Sequence, residues 1–384
     1  MGNPSIASRE ETLTQNFQEY LELPQAAANP TISFQKQGSD PLDLLLLTEQ
    51  GEPVYKRVPR ATRSQVLRIT QELRNNITNI RRPIRPRTYL APAQQLYQWL
   101  IAPLEQELQA QEIKNLVFIM DTGLRSLPIA ALHDGTDFIV AKYSVGLMPS
   151  LSLTDTRYAD VRNAQVLAMG ATRFSNQRPL PAVPVEVSLI TEQLWSGKTF
   201  LNEAFTLNNF KQTLDRQPFG IVHLATHAEF QPGIPSNSYI QLWNTKLPLN
   251  QLRQLDLNDA PVELLVLSAC RTALGDEDAE LGFAGLAVQA GVKSALGSLW
   301  YVSDEATLGL MTEFYKQLKQ APIKAEALRQ AQLAMSQGKV RLEGGKLITS
   351  YGSFPLPPQL ARLGDRDFSH PYYWSAFTIV GNPW

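Results

Sequence analysis

The sequence predicts an α/β fold in which helices cover both faces of a mostly parallel sheet. Apolar runs of strand length recur along the chain, and segments with the apolar spacing of amphipathic helices separate them. Near-continuous apolar runs are typical of parallel strands, because both faces of such a sheet are buried. A chain of 384 residues with 43% hydrophobic content can bury an ample core in one large domain or two average ones.

The N-terminal part, residues 1–85, is predicted to be an extension of helix, short strands and helix that packs on the remainder of the chain. The basic, proline-rich stretch at residues 81–87 predicts a solvated linker, although its charges could bind an acidic partner. In chain order, the extension comprises a helix within residues 1–30, strands at 31–34, 42–47 and 54–58, and a helix at 62–77.

The second part, residues 86–384, is predicted to form the main domain, in which strands and helices alternate. The predicted strands cover residues 115–120, 138–145, 165–170, 221–226, 239–243, 262–269, 294–300 and 372–381, the last of them as an edge strand. The predicted helices cover residues 92–109, 185–194, 207–215, 282–290, 304–319 and 325–337.

Composition narrows the classes of function and location. A formal net charge of -1 gives no reason to expect nucleic acid as a direct partner. No apolar stretch approaches the length of a membrane span, and the start of the chain lacks the apolar core of a signal peptide. The single cysteine excludes an internal disulfide. We therefore expect a cytoplasmic protein without a membrane partner.

That single cysteine, Cys270, ends the buried apolar run at residues 262–269. The carboxyl end of such a strand is where α/β proteins build active sites. A lone cysteine with a histidine near it in the fold is a candidate nucleophile. Each of the four histidines is therefore considered as a possible partner of Cys270. His133 lies in a His-Asp-Gly turn and is predicted at the surface, whereas His370, before Pro371, is predicted to be a loop or packing residue.

The remaining two, His223 and His227, share one β-like run. Four strand residues span about 13 Å, so the two imidazoles cannot bind one ion, and we expect neither a metal nor another cofactor. His223 is mid-strand and predicted to be a core residue. His227 ends its strand as Cys270 ends its own, which suits a thiolate–imidazole dyad if the strands are neighbours. A buried free cysteine beside an unrelated histidine is the alternative reading.

Several ordered blocks of sequence resemble the CHAT domains, a caspase-like family related to separase. The blocks fall between about residue 85 and the end of the chain, and include Ala225-Thr226-His227, Leu267-Ser268-Ala269-Cys270-Arg271-Thr272, Ser298-Leu299-Trp300-Tyr301-Val302-Ser303-Asp304 and His370-Pro371-Tyr372-Tyr373-Trp374-Ser375-Ala376-Phe377. The resemblance implies a caspase-haemoglobinase-like fold and cysteine endopeptidase activity on protein substrates. It also implies that Cys270 is the nucleophile and His227 the general base or imidazolium partner.

The same resemblance implies an oxyanion hole made by the backbone N–H groups of Ala228 and Cys270. The family often has glycine where this chain has Ala228, which puts the aim of that N–H in doubt, because alanine takes up positive φ less freely. A second class of function therefore stays open, a catalytically silent, caspase-like interaction module. The biological setting, bacterial defence or cell death, and an upstream sensor or activator protein, are expectations by analogy alone.

Acidic residues after the nucleophile point to a substrate preference. Relatives such as separase cleave after basic residues, and Asp304 resembles the separase-type pocket residue by its place in its block. Asp304 also reads as the N-cap of the helix that follows. Glu280 and Ser268 are the other candidates for the pocket, although Glu280 could instead stabilise the start of the predicted helix 282–290. The resulting hypothesis is cleavage after Arg or Lys.

Overall fold

In the computed structural model, the described residues form two compact units. The structure describes residues 37–49, 51–79, 87–151, 154–229, 238–248, 251, 262–268, 288 and 291–384. The first two predicted elements, most of the linker, almost all of the predicted helix 282–290, Glu280 and Cys270 itself lie outside these ranges. The boundary placed between residues 85 and 86 therefore stays a prediction.

The first unit contains the described residues up to Lys114, together with Leu132–Ile139 and Thr156–Tyr158. It holds an antiparallel strand pair followed by helices, and the backbone N–H of Thr62 donates to Gln65 Oε1 (3.0 Å) where the first helix begins. The single helix predicted at 92–109 is broken, because Pro103 lacks an N–H and clashes within a helix interior. In order, the elements are β1 (Pro41–Leu46), β2 (Val54–Thr62), α1 (Arg63–Thr78), α2 (Leu90–Leu100), a 3₁₀ turn (Ala102–Leu104) and α3 (Glu105–Ala110).

The second unit contains the rest of the described chain and is organised around one large sheet. Its strands are β3 (Asn115–Phe118), β4 (Ser144–Leu147), β5 (Val166–Gly170), β6 (Gly197–Leu201), β7 (Ile221–Ala225), β8 (Ala228–Glu229), β9 (Tyr239–Gln241), β10 (Lys246–Pro248), β11 (Leu264–Ser268), β12 (Ser294–Ser298), β13 (Arg341–Glu343), β14 (Lys346–Thr349), β15 (Gly352–Pro355), β16 (Arg366–Asp367) and β17 (Phe377–Gly381). Its helices are α4 (Val183–Ser188, continued by a π-helical turn, Leu189–Leu194), α5 (Leu207–Arg216), α6 (Asp304–Leu318), α7 (Lys324–Ser336), α8 (Pro358–Ala361) and α9 (Pro371–Trp374).

The large sheet has eight strands in the order β3-β4-β17-β12-β11-β7-β5-β6. Every neighbouring pair is parallel except β12 with β17, which confirms the predicted α/β class and its mostly parallel sheet. The prediction of a closing edge strand is wrong. β17 lies inside the sheet, paired with β12 on one side and β4 on the other, and all five of its residues are buried. An apolar, fully buried strand of this kind has ladder partners on both sides.

Two further expectations need correction. The run at residues 138–145 is not one strand, since it forms a 3₁₀ turn at Ile139–Ala141 before β4 begins. Between α7 and α9 the sequence analysis predicts nothing, but β13 to β16 make a four-stranded antiparallel sheet there. Its strands are two to four residues long and partly exposed, so they lack the apolar runs that mark the core strands.

The central strands β5, β7, β11 and β12 are almost fully buried and all run in one direction. Their carboxyl ends therefore meet at a single rim of the sheet. None of the helices within the described ranges is long and apolar enough to cross a membrane.

At this rim β5 and β7 approach very closely at Gly170. A Cβ atom placed on Gly170 would lie 2.5 Å from the carbonyl oxygen of Ala225 and 2.7 Å from Val183 Cγ1. The backbone oxygen cannot move without disturbing the ladder between β5 and β7. Glycine is therefore required at this position by space, and not by its own backbone conformation.

Gly170→Ala is expected to lower the free energy of unfolding by about 1–3 kcal/mol, because the added methyl group overpacks the strand pair. Gly38→Ala is the control, since its Cβ would lie no closer than 3.5 Å to Ser64 Cβ, and about 0.5 kcal/mol or less is expected there. Chemical denaturation measures both values. Equal midpoints for Gly170→Ala and the unmodified chain would contradict the close approach.

Candidate active site

The strands that carry the candidate dyad are direct neighbours. β7 and β11 pair in parallel, with Leu264 opposite Ile221 and Ser268 opposite Ala225. His227 follows the end of β7 by two residues, and Cys270 follows the end of β11 by the same number. The condition that the sequence analysis set for the dyad, adjacent strands with a shared rim, is therefore met, while Cys270 lies outside the described residues.

The imidazole of His227 is held by the segment that connects β5 to α4, residues 171–182, here called the β5–α4 loop. The Nε2 atom of His227 lies 2.7 Å from the backbone oxygen of Arg178, and the ring of Phe174 meets the imidazole edge to face at 4.7 Å. A carbonyl oxygen can only accept a hydrogen bond, so Nε2 carries the proton and donates. In the neutral ring, Nδ1 is then the basic nitrogen.

The surroundings of His227 favour this neutral ring. His227 is 8% exposed, and burial lowers the pKa of its imidazole below the ordinary value of 6.5, while the hydrogen bond to Arg178 acts in the opposite direction. A ring that is neutral at pH 7 can accept a proton at Nδ1, which is what a general base must do.

The backbone of Ala228 has an ordinary extended conformation. Ala228 begins β8 and pairs antiparallel with Ile240, and it is not among the residues with positive φ. The neighbouring pair holds the ladder bond, since Gln241 N donates to His227 O (2.8 Å). In an antiparallel ladder, the next pair along is then a non-hydrogen-bonded one, so the N–H of Ala228 points away from β9. Alanine therefore adopts the observed backbone conformation without strain, and its part in an oxyanion hole stays a prediction.

The structure places Asp304 in the first turn of α6, and its role as a pocket residue stays a prediction. The N-cap of α6 is Ser303, whose Oγ accepts from Ala306 N (3.3 Å), so the prediction that Asp304 is the cap is wrong by one residue. The carboxylate of Asp304, in the first turn, accepts a hydrogen bond from Ala182 N at 2.6 Å. Burial raises the pKa of Asp304 to about 7; the hydrogen bond from Ala182 opposes this increase, and the charges of Glu186 and Glu305 add smaller increases.

The other two candidates for the pocket are Ser268 and Glu280. Ser268 is the buried last residue of β11, beside Ala225, and so lies at the same rim. Glu280 lies outside the described ranges, so its place in the pocket stays a prediction.

The three histidines outside the candidate dyad have contacts that fit a structural role. His223 is fully buried, with Nδ1 3.1 Å from the hydroxyl of Tyr315 and Nε2 2.9 Å from Glu186 Oε1 in an alignment too poor for a hydrogen bond. Its predicted core role is confirmed. His370 caps α9 by accepting from Tyr372 N (3.1 Å). His133 was expected at the surface but is 8% exposed, because its ring packs against Phe138 and its Nδ1 accepts from Gly135 N.

Sequence reasoning missed three contributors to this site, Arg178, Phe174 and Ala182. Two of them act through backbone atoms, Arg178 by its carbonyl and Ala182 by its N–H. A backbone group is present in every residue, so no residue type signals it. Among the residues the structure describes, no group of three His, Cys, Asp or Glu side chains could hold a metal ion.

Comparisons with known proteins place these observations in context. A family model described as "CHAT domain" matches residues 90–382. A search of curated proteins gave no match. Among solved structures, the Porphyromonas gingivalis RgpB pro- and mature domains align at 10% identity and a TM-score of 0.45, over 82% of this chain and 76% of that chain.

Two other solved structures align at similar levels. The Arg-specific cysteine proteinase gingipain R aligns at 10% identity and a TM-score of 0.46, over 82% of this chain and 74% of that chain. Separase from the Saccharomyces cerevisiae separase–securin complex aligns at 12% identity and a TM-score of 0.45, over 98% of this chain and 22% of that chain.

The raised pKa of Asp304 predicts a pH-dependent stability. Its folded pKa of about 7 lies above the ordinary 3.8, so the native state binds more protons between these values, and stability is lost as pH rises through them. Asp304→Asn cannot ionise and does not share this loss. The free energy of unfolding of Asp304→Asn minus that of the unmodified chain should therefore rise by up to about 1.4 kcal/mol per pH unit between pH 5 and 7. A difference that is constant over that range would contradict the buried carboxyl.

Proposed function

The chain belongs to the CHAT domain family, and we propose that it is a cysteine endopeptidase that cleaves protein substrates with Cys270 and His227. The observation that carries the proposal is the parallel, in-register pairing of β7 with β11. Two residues beyond the paired ends, one strand supplies a thiol and the other an imidazole. An imidazole beside a thiol is the arrangement that nucleophilic cysteine catalysis requires.

The proposed reaction is acyl transfer. His227 Nδ1 takes the proton of the Cys270 thiol, and the thiolate attacks the carbonyl carbon of the scissile peptide bond. The tetrahedral intermediate collapses when the protonated imidazole gives its proton to the leaving amine, which leaves a thioester on Cys270. Water, deprotonated by His227, then attacks the thioester, and the acid product and the thiol are released.

The contact between His227 and Arg178 supports this sequence of steps. The neutral carbonyl holds the ring by Nε2–H and keeps Nδ1 as the site of proton exchange. Since burial lowers the pKa of His227, the imidazolium formed in the first step is a stronger acid and readily protonates the leaving amine.

The oxyanion is proposed to accept hydrogen bonds from the N–H groups of Ala228 and Cys270. The turn of the Ala228 N–H away from β9 supports its part, because that group is not used in the ladder. One such donor is typically worth about 2.7–4 kcal/mol of barrier. The extended backbone of Ala228 supports this proposal over a silent interaction module, which stands as the alternative outcome of the labelling experiment below.

The substrate is proposed to carry Arg or Lys at P1. Asp304 and Glu280 are the acidic residues proposed to meet its charge, and Ser268 is the third residue proposed for the pocket. The acidic residues after Cys270 support this preference, since a cation in a desolvated pocket needs an opposite charge. We also propose that the protein acts in the cytoplasm under an upstream activator, in a defence or cell-death pathway, which rests on analogy alone.

Labelling by an Arg-directed peptide with a cysteine-reactive group is expected to modify Cys270 and no other residue. Cys270→Ala should abolish labelling, and His227→Ala should slow it by about 10²–10⁴-fold, because the base that forms the thiolate is removed. His133→Ala is the control, and its labelling rate should equal that of the unmodified chain. Mass spectrometry follows the rate and the site.

Two results would count against the dyad. Labelling at an unchanged rate in His227→Ala would show that the imidazole plays no part. A folded chain that neither labels nor cleaves any member of a peptide library, with or without added cell extract, would favour the silent interaction module.

The P1 preference predicts a large difference between Arg and its neutral isostere citrulline. A peptide probe with Arg at P1 should react at least about tenfold faster than the same probe with citrulline, since a charge-assisted contact is worth about 1.5–3 kcal/mol. Rising salt should narrow the difference if the acidic groups are partly exposed. A library profile dominated by Asp or by apolar residues at P1 would reject the preference.

A further inference from the structure

Asp304 makes a contact that neither interpretation of its position in the sequence predicts. Its carboxylate is not needed to cap α6, because Ser303 already does so. A buried carboxylate is destabilising unless it is hydrogen-bonded, so the contact that it makes is the informative one. That contact is the hydrogen bond of 2.6 Å from the backbone N–H of Ala182, a residue 122 positions earlier in the chain.

Ala182 is one end of the β5–α4 loop, the segment that holds the candidate catalytic histidine. The loop is closed on itself by Leu180 N, which donates to Thr172 O (2.8 Å), and by Val183 N, which donates to Leu180 O (3.3 Å). Its other end is fixed to β7, where Ala171 N donates to Ala225 O (3.3 Å). Asp304 thus fixes the end of the loop that meets α4, in addition to the helix bond that Ala182 O accepts from Glu186 N (2.9 Å).

Between these two ends the loop makes both of its contacts with His227. The carbonyl of Arg178 accepts from Nε2, and the ring of Phe174 packs against the imidazole. The side chain of Arg178 is exposed, so the position of its carbonyl depends on the backbone of the loop. A hydrogen bond weakens steeply when its atoms leave a narrow range of distance and angle, so a small shift of the loop would release the ring.

We propose that Asp304 is a positioning residue, which holds His227 in its Nε2–H tautomer by fixing the β5–α4 loop through the backbone of Ala182. This role depends on the proposed function in one respect, which is that His227 acts as the general base in the proposed reaction. Without the tie, the carbonyl of Arg178 no longer selects one tautomer, and part of the population carries its proton on Nδ1. In those molecules Nδ1 already carries a proton, so it cannot accept the proton of a thiol.

The decisive measurement is the tautomer of His227, read from the ¹⁵N shifts of its two ring nitrogens in histidine-labelled protein. Spectra are recorded at pH 8, where the ring is neutral, and His227→Gln identifies the signals. The unmodified chain should show the Nε2–H tautomer, and Asp304→Ala should show a clear increase of the Nδ1–H form. Asp304→Asn should resemble the unmodified chain, because its amide oxygen can accept the same bond without a charge.

Glu326→Ala is the matched control. Glu326 is also an acidic residue in the first turn of a helix, α7, but its carboxylate contacts Arg329 and Gln330 and not the loop. Glu326→Ala should therefore leave the tautomer of His227 unchanged. If Asp304→Ala does not fold, Asp304→Ser, whose hydroxyl is one bond shorter than the carboxylate, gives the same comparison.

Two outcomes would overturn the proposal: a folded Asp304→Ala, or Asp304→Ser in its place, that retains the Nε2–H tautomer, or an Asp304→Asn that loses it. Labelling of Cys270 by a neutral alkylating reagent, which has no P1 group and does not sense the charge of the pocket, is the second readout. It should slow by about 10²-fold in Asp304→Ala, as expected for lost positioning, and by much less in Asp304→Asn. If Asp304 only bound the P1 cation, Asp304→Ala and Asp304→Asn would lose the preference for Arg to the same extent. The tautomer can also be measured in Cys270→Ala, so its result does not depend on whether the chain is a peptidase.

Discussion

The parallel pairing of β7 with β11 is the constraint on which the rest of the site depends. Both strands are buried along their whole length, so their register is fixed by the packing of alternate side chains on the two faces of the sheet. A shift of one residue would exchange these faces for an entire strand. The same register puts Ala225 and Ser268, the last residues of the two strands, side by side, and Gly170 lets β5 approach β7 closely enough to bring its own loop to that rim.

Control of the histidine by a backbone carbonyl has a chemical consequence. A carboxylate partner would stabilise the charged imidazolium strongly and raise the pKa of the ring, whereas a neutral carbonyl orients the ring with less effect on its charge. Burial then dominates and keeps His227 neutral near pH 7. Orientation thus depends on the backbone of the β5–α4 loop, and the loop in turn contacts α6 through Asp304. The conformation of one loop therefore connects the start of α6 with the imidazole.

The wrong predictions for residues 372–381, His133 and Asp304 have one physical cause in common. The edge-strand prediction for residues 372–381 was made from local pattern, but β17 is buried between two partners that are distant in sequence. His133 was placed at the surface because of its turn, and Phe138 covers it. The cap assignment of Asp304 fits the local spacing, yet Ser303 caps the helix and a residue 122 positions away binds the carboxylate. In each case a long-range contact determined the outcome.

The sequence by itself determined the α/β class and the central buried strands, and it selected His227 as the proposed partner of Cys270, since apolar periodicity and the scarcity of histidine and cysteine are properties of the residues alone. The family was also identifiable from its ordered blocks. Only the tertiary structure decided the strand order, the tautomer of His227, the extended backbone of Ala228 and the contact made by Asp304. These depend on backbone N–H and C=O groups brought together from distant segments, and such groups are the same in every residue, so no sequence pattern marks them.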